Sequence, residues 1–167
     1  WQIILNLFIL TFRPSKSAHA YKKIWMEKTN ESPLLYYTKN QAKKLNHKIG
    51  SKNILVDFAM RYGNPSIKSK LVNLKEQGCE NIVVLPLYPQ YAGATTATVC
   101  DEVYRCLMKM RWQPSLQIIP HYESDLLYIN ALVNSIRKKT SEINWKPDLI
   151  IASYPSMTSE MYSIQFQ

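Results

Sequence analysis

From Ile54 onward, short apolar runs alternate with segments of helical periodicity, and this alternation restricts the fold more than any other feature of the chain. The apolar runs predict four strands, over Ile54–Met60, Ile82–Leu87, Leu116–Ile119 and Leu149–Ser153. Strands that alternate with helices pair in parallel through right-handed crossovers. We therefore expect a single α/β domain over residues 1–167, built on an open parallel sheet with helices on both faces.

Helix start and stop signals predict where the helices lie. They are expected over Ser15–Met26, Pro33–Lys48, Asn64 to Gly78, Thr95 to about Met110, and from Ser124 or Asp125 onward. Ser32 before Pro33, and Asn64 before Pro65, are typical pairs of an N-cap and a first helical residue. The apolar run after Ile82 favours a strand that is buried on both faces and that ends near Pro86.

Charge and cysteine content limit the classes of function. The formal charge of +9 fits a solvated surface, an anionic ligand or contact with an acidic lipid surface. The basic residues form no long run and no nucleic-acid-binding motif, so we expect no nucleic-acid partner. Cys79, Cys100 and Cys106 lack metal-binding spacing and indicate reduced thiols in the cytoplasm, and we interpret Cys100 and Cys106 as packing residues.

The first residues and the glycines restrict the choice further. Trp1–Leu10 is apolar but too short to span a bilayer, and it lacks the features of a signal peptide. There is no initiator Met, so we expect the chain to begin inside a longer protein. The four glycines form neither a dinucleotide-binding fingerprint nor a P-loop, which argues against a nucleotide or flavin.

Polar and aromatic residues follow every predicted strand at its carboxyl end, where open α/β sheets bind ligands. These residues are Arg61 and Tyr62, then Tyr88, Gln90 and Tyr91, then His121 and Tyr122, and finally Tyr154. We expect them to border one cleft. Tyrosines offer flat apolar faces, and an arginine fork can hold a carboxylate, so the set favours a large flat ligand that carries carboxylates.

Two threonines and a histidine extend this set, and each has a structural alternative. Thr95 and Thr96 begin a predicted helix, where free N–H groups favour an anion, although a simple helix cap explains them as well. Arg61 alone could form a strand-end salt bridge, and the tyrosines around Pro89 alone could form an ordinary turn. We interpret His121 as a surface or capping residue rather than a metal ligand.

The residues Leu85-Pro-Leu-Tyr-Pro-Gln-Tyr91, followed by Thr95-Thr96, resemble the LPLYPQ(F/Y)S…TT segment of ferrochelatases. That string is long and unusual, so a chance match is improbable. Further segments resemble the same family in the same order: Tyr21–Trp25 with Glu31–Leu34, Met60–Pro65, Tyr128–Ala131 and Pro147–Tyr154.

The resemblance implies insertion of Fe²⁺ into protoporphyrin IX, in a cleft beside a chelatase-like, flavodoxin-like parallel sheet that is incomplete in this chain. Iron would be a substrate, the porphyrin the partner, and no organic cofactor would be needed. Arg61 and Tyr62 would lie in the porphyrin cleft. Wall or nearby packing positions are implied for Tyr88, Gln90, Tyr91, Thr95 and Thr96, and Tyr154 would lead into the metal-insertion site. We expect a cytoplasmic protein, with peripheral membrane contact as an alternative.

The chain departs from the family pattern at the end of the last predicted strand. Ferrochelatases read S-(F/Y)-H-G-(I/M)-P there, and this chain reads Ser153-Tyr-Pro-Ser-Met-Thr158. Pro155 occupies the position of the family's proton-accepting, metal-handling His, and its side chain has no basic or metal-binding atom. The family's first strand and the half with its acidic partner also have no counterpart here.

These departures leave three interpretations open. The first is a ferrochelatase fragment, inactive on its own, with no catalytic residue or metal ligand assigned. The second is a related tetrapyrrole chelatase. The third is a truncated, non-catalytic porphyrin-binding remnant.

Overall fold

The computed structural model describes residues 18–51 and 53–151 of the 167-residue chain. Backbone contacts divide the chain into two units, with the boundary between Ser66 and Ile67. The first unit contains a short helical stretch at residues 18–22 and helix α1 (Pro33–Ile49). The second contains α2 (Ile67–Glu76), β1 (Asn81–Val84), α3 (Thr96–Leu107), β2 (Ser115–Ile118) and α4 (Leu126–Glu142). The expectation of a single domain stays a prediction.

Helix α1 begins and ends at the residues that its sequence specifies. The Leu35 N–H donates to Ser32 Oγ at 3.2 Å, and Pro33 occupies the first turn, where its missing N–H costs nothing. At the other end, Gly50 adopts φ 57° and its N–H donates to the Asn46 carbonyl at 3.1 Å. This left-handed conformation favours glycine, which ends the helix there. The predicted helix is confirmed.

The preceding helix ends earlier than predicted. Of the segment Ser15–Met26, residues 18–22 are helical, while residues 15–17 lie outside the described part of the chain. The Met26 N–H donates to the Glu31 carbonyl at 3.0 Å, and these two residues form an antiparallel bridge. This pairing requires extended backbone at Met26, so the prediction of helix to that residue is wrong.

The predicted first strand, Ile54–Met60, does not form as a strand. Residues 54–59 carry no regular hydrogen-bonding pattern, and Ile54 and Leu55 are exposed. Met60 alone forms a bridge, in parallel with Ser66. An apolar run supplies the tendency to extend, but a strand also needs a neighbour for its backbone groups.

The same bridge explains why the next helix starts late. The Met60 N–H donates to the Pro65 carbonyl at 2.7 Å, which closes the loop before the helix. Since Ser66 is then held in an extended pairing, α2 begins at Ile67. The prediction that Asn64 caps the helix and Pro65 opens it is therefore wrong, whereas its end next to Gly78 agrees with the sequence.

The two middle strands pair in parallel, as predicted. Asn81 aligns with Ser115, and Val84 aligns with Ile118. One further bond extends the ladder at each end, from Ser115 N–H to the Glu80 carbonyl at 2.7 Å and from Ile119 N–H to the Val84 carbonyl at 3.0 Å. The chain is therefore an α/β protein with parallel pairing.

The sheet is smaller and more exposed than the sequence suggests. Ile82 is buried, but Val83, which points to the opposite face, is 64% exposed, so the prediction of burial on both faces is wrong. Residues 149–151 are not in a strand, and residues 152–153 of that predicted strand lie outside the described range. Within that range the sheet has two strands rather than four. Its flavodoxin-like order stays a prediction.

The core lies in the second unit, where α2 packs against α3. Its buried apolar residues are Ile67, Leu71, Ile82, Ala92, Val99, Val103, Cys106 and Leu107. The spacing of Val99, Val103 and Leu107 is the helical stripe that predicted α3. By contrast, α1 and α4 contain no buried residue. Among the helices described, none is long and apolar enough to cross a membrane.

Candidate functional site

The β1 loop, residues 85–95, follows the strand directly and carries four candidate site residues: Tyr88, Gln90, Tyr91 and Thr95. Pro86 and Ala92 are buried and anchor the loop, whereas Tyr88 and Gln90 are exposed and Tyr91 is half-buried. The Ala92 carbonyl accepts hydrogen bonds from the N–H groups of Thr95 and Ala97 at 3.1 and 3.2 Å. A buried and hydrogen-bonded frame therefore holds polar and aromatic side chains at the surface.

A second loop meets the first at this edge of the sheet. The β2 loop, residues 119–125, follows β2 and contains His121 and Tyr122. The Tyr122 N–H donates to the Pro89 carbonyl at 2.9 Å, beyond the end of the strand ladder. The structure therefore brings together two of the strand-end groups that the sequence predicted to share an edge.

Aromatic packing and a contact between His121 and Glu123 hold the β2 loop. The Tyr122 ring meets the Tyr128 ring edge to face, with centroids 5.4 Å apart and an interplanar angle of 88°. Burial, with a smaller contribution from Tyr128, raises the pKa of Tyr122. His121 Nδ1 lies 3.1 Å from Glu123 Oε2. In the described part of the chain, no three His, Cys, Asp or Glu side chains are grouped so that they could hold a metal ion. The contact of His121 with Glu123 lies within the β2 loop.

The two threonines occupy different environments. Thr96 is fully buried, and its Oγ1 has no hydrogen-bond partner among the described residues. Thr95 Oγ1 donates to the Ala92 carbonyl at 3.4 Å. The N–H groups of Thr95, Ala97 and Thr98 are already bonded to the carbonyls of Ala92 and Thr95, which argues against anion binding by these three amides. Packing beneath the loop is the role that this geometry supports.

Arg61 and Tyr62 lie in the first unit. The Arg61 guanidinium carbon sits 4.5 Å from the centre of the Tyr62 ring, in a cation–π contact. Arg61 is half-buried, while Tyr62 is 73% exposed. The expectation that these two residues share a cleft with Tyr88, Tyr91 and the other strand-end residues stays a prediction. Tyr154 and Pro155 lie outside the described residues.

The cysteines occupy packing positions. Cys106 is buried, with its Sγ 3.4 Å from Glu102 Oε1, and Cys100 is half-buried on another face of α3. Burial raises the pKa of the Cys100 thiol, and the neighbouring Asp101 raises it further against an opposing backbone hydrogen bond. A raised pKa disfavours the thiolate, so Cys100 is a poor nucleophile or metal ligand.

Two features of the structure were not predicted from the sequence. The first is the pair of contacts made by Tyr122, whose ring meets Tyr128 and whose N–H donates to the Pro89 carbonyl. Tyr128 stands three residues after the N-cap Asp125, so the helix-start signal places it in the first turn of α4 but does not show that its ring meets Tyr122. The second is a polar cavity of about 350 Å³ in the first unit. Its lining is Thr29, Glu31, Tyr36, Lys39, Asn40 and Lys43.

Comparison with known proteins identifies the family. A family model for ferrochelatase matches residues 1–165. A ferrochelatase of Francisella tularensis subsp. novicida is 46% identical over 162 residues, which cover 97% of this chain and 48% of the relative. A ferrochelatase of Allorhizobium ampelinum is 49% identical over 155 residues, covering 92% of this chain and 45% of the relative. The chain spans about half the length of the curated relatives it matches. With nearly its whole length matched, the chain belongs to the ferrochelatase family.

Proposed function

We propose that this chain is part of a ferrochelatase that inserts Fe²⁺ into protoporphyrin IX in haem biosynthesis, and that the β1 loop forms a wall of the porphyrin site. The observation that carries this proposal is the frame of the loop. Buried Pro86 and Ala92, together with the bond from Tyr122 N–H to the Pro89 carbonyl, hold Tyr88 and Tyr91 beyond the end of β1.

The chemistry of the candidate side chains suits a porphyrin. The rings of Tyr88 and Tyr91 offer flat apolar surfaces, and each hydroxyl can bond to a polar group. The Gln90 amide can both donate and accept hydrogen bonds. In the first unit, Arg61 offers a planar fork that matches a carboxylate such as a porphyrin propionate. Stacking on Tyr62 restricts the guanidinium, which lowers the entropy lost when it binds.

Insertion of the metal requires proton removal. Fe²⁺ replaces the two protons on the pyrrole nitrogens, so a base near the ring centre is needed. At the position where ferrochelatases carry a histidine as this base, the chain has Pro155. Iron is a substrate in this proposal, and no organic cofactor takes part.

Pro155 favours a second function, which is porphyrin binding without iron insertion. Because proline supplies neither a base nor a ligand atom, the chain would bind porphyrin without inserting iron. A related tetrapyrrole chelatase would share the loop and the reaction type.

We include a cytoplasmic location in the proposal. The charge of +9 supports peripheral contact with an acidic membrane as an alternative.

Titration of the chain with protoporphyrin IX, with quenching of protein fluorescence as the measured signal, tests the binding proposal. We expect saturable binding that Tyr88→Ala weakens by about 3- to 10-fold, since a ring contact is lost. Tyr104→Ala is the matched control, because Tyr104 is an exposed tyrosine on α3, outside both loops. Equal affinity in both variants would exclude Tyr88 from the site, and a lack of saturable binding by the unmodified chain would contradict the proposal.

A further inference from the structure

We propose that Tyr128 is a positioning residue for the β1 loop: its ring holds Tyr122, and Tyr122 in turn fixes Pro89 and its neighbours Tyr88 and Gln90. The ligand-binding part of this inference rests on the proposed function. The structural part concerns the two loops alone and can be tested without a ligand.

The first link is a backbone bond between the loops. The ladder ends with the bond from Ile119 N–H to the Val84 carbonyl, and the two chains then diverge into loops. Tyr122 N–H reaches across to the Pro89 carbonyl at 2.9 Å. Pro89 lies between Tyr88 and Gln90, so this bond acts at the centre of the proposed porphyrin wall. The position of the Tyr122 backbone therefore controls the position of these side chains.

The second link is the ring pair. Tyr122 and Tyr128 are both half-buried, and their rings meet at 5.4 Å and 88°. Edge-to-face contact joins the positive edge of one ring to the negative face of the other, and it is worth about 2- to 12-fold in an equilibrium constant beyond the area buried. The contact restricts the Tyr122 side chain and, through it, the backbone N–H that binds Pro89.

The third link anchors Tyr128 itself. Its N–H donates to Asp125 Oδ1 at 3.1 Å in the first turn of α4. The Asp125 N–H in turn donates to the Tyr122 carbonyl at 3.1 Å. The start of the helix, the two rings and the β2 loop thus form a closed set of contacts. Only the ring of Tyr128 is needed in this arrangement, so phenylalanine should replace it.

A purely structural role for Tyr128 predicts a different pattern. If its ring only added stability, its removal would accelerate hydrogen exchange at all amides that exchange by global unfolding. A positioning role predicts a local change, larger at the Tyr122 amide than at the Val103 amide in the buried stripe of α3. The comparison of these two amides within one sample separates the two roles.

The experiment measures amide hydrogen exchange by NMR on the whole chain, without ligand. We expect Tyr128→Ala to accelerate exchange at Tyr122 by about 2- to 12-fold more than at Val103. Tyr128→Phe should restore the exchange of the unmodified chain. Leu127→Ala is the matched control, since Leu127 precedes Tyr128 on α4 and is 80% exposed. If Tyr128→Ala fails to fold, Tyr128→Leu keeps apolar bulk without the edge-to-face contact and gives the same comparison.

A protoporphyrin IX titration of the same variants completes the test. We expect Tyr128→Ala to weaken binding by about 2- to 12-fold and Tyr128→Phe to bind as the unmodified chain does. Equal acceleration at Tyr122 and Val103 would overturn the positioning role. Faster exchange at Tyr122 with unchanged porphyrin affinity would overturn the ligand-binding part, which rests on the proposed function. Absence of binding by the unmodified chain would contradict the proposed function instead, and the exchange data would then decide the structural inference by themselves.

Discussion

Tyr122 links the chemistry of a single side chain to the stability of the loop that contains it. Burial raises its pKa above the ordinary value of 10.0, so the folded protein holds the phenol proton more tightly than the unfolded chain does. This contribution to stability is complete below the ordinary pKa and is lost as the pH rises through the raised one. The sign follows from proton binding: in that interval the folded state binds more protons.

Replacement of Tyr122 by phenylalanine should therefore change the alkaline limb of stability. We expect Tyr122→Phe to reduce the fall in melting temperature above about pH 10 and to leave the acidic limb unchanged. The measurement is thermal unfolding across the alkaline range, with Tyr104→Phe on the exposed face of α3 as the control. An identical alkaline fall in Tyr122→Phe and the unmodified chain would contradict this prediction.

Arg61 is the residue whose proposed role is most easily separated from folding. In a chain extended to the length of its relatives, Arg61→Ala should weaken porphyrin binding by about 1.5–3 kcal/mol if the guanidinium holds a propionate through charged hydrogen bonds. Arg61→Lys keeps the charge but loses the fork, so it should recover only part of the affinity. A dissociation constant unchanged in Arg61→Ala would leave Arg61 with a structural role only.

At the scale of elements, helix ends follow from local chemistry where a cap is close in sequence. Ser32 with Pro33 correctly marks the start of α1, and Asp125 correctly marks the start of α4. Asn64 with Pro65 carries the same local signal, yet the helix starts at Ile67. The Met60 N–H instead donates to the Pro65 carbonyl, and Ser66 pairs with Met60 in a bridge. The Asn64-Pro65 cap signal does not encode this pairing.

Strands differ from helices because their hydrogen bonds lie outside the segment. The runs at Ile82 and Leu116 find each other and pair in the predicted parallel sense. The runs at Ile54 and Leu149 have the same apolar character but form no strand among the residues described. Sequence therefore predicted the tendency of all four runs to extend, but it did not specify which of them would find a neighbour.

The candidate site was predictable to a similar extent. The segment from Tyr88 to Tyr91 could be located because its residues are contiguous and follow a strand. The ring pair of Tyr122 and Tyr128 could not be read from the sequence, since the chain between them turns into α4 and the contact depends on that turn. Similarly, the complete burial of Thr96 depends on the packing of α3 and was not visible in the sequence.

The N-cap of α4 can be tested by substitution of Asp125. Asp125 Oδ1 accepts from the N–H groups of Leu127 and Tyr128 at 2.8 and 3.1 Å. Asp125→Ala should destabilise the start of α4 by about 1 kcal/mol, and Asp125→Asn should retain most of the cap. Hydrogen exchange at the Ile129 amide, which donates to the Asp125 carbonyl, measures the effect. Equal exchange in the alanine and asparagine variants would contradict a capping role for the side chain.

At the scale of the whole molecule, the buried residues are concentrated in the second unit. Among the residues described, α1 and α4 bury no side chain, and Leu127 and Leu149 are largely exposed. Since apolar burial is the main stabilising contribution to folding, we expect stability to be centred on α2, α3 and the two strands. The chain corresponds to about half the length of its ferrochelatase relatives.

An anaerobic assay of Fe²⁺ insertion, monitored by the loss of free-porphyrin fluorescence, tests the effect of Pro155 on activity. We predict that the unmodified chain binds protoporphyrin IX without inserting iron at an enzymatic rate, because Pro155 replaces a base that typically contributes about 10²–10⁴-fold. A chain extended to the length of its relatives, with Pro155→His, Ser156→Gly and Thr158→Pro, should insert iron, while Pro155→His alone in the present chain should recover little. Efficient turnover by the unmodified chain would contradict this prediction and make His121 the first candidate for the base.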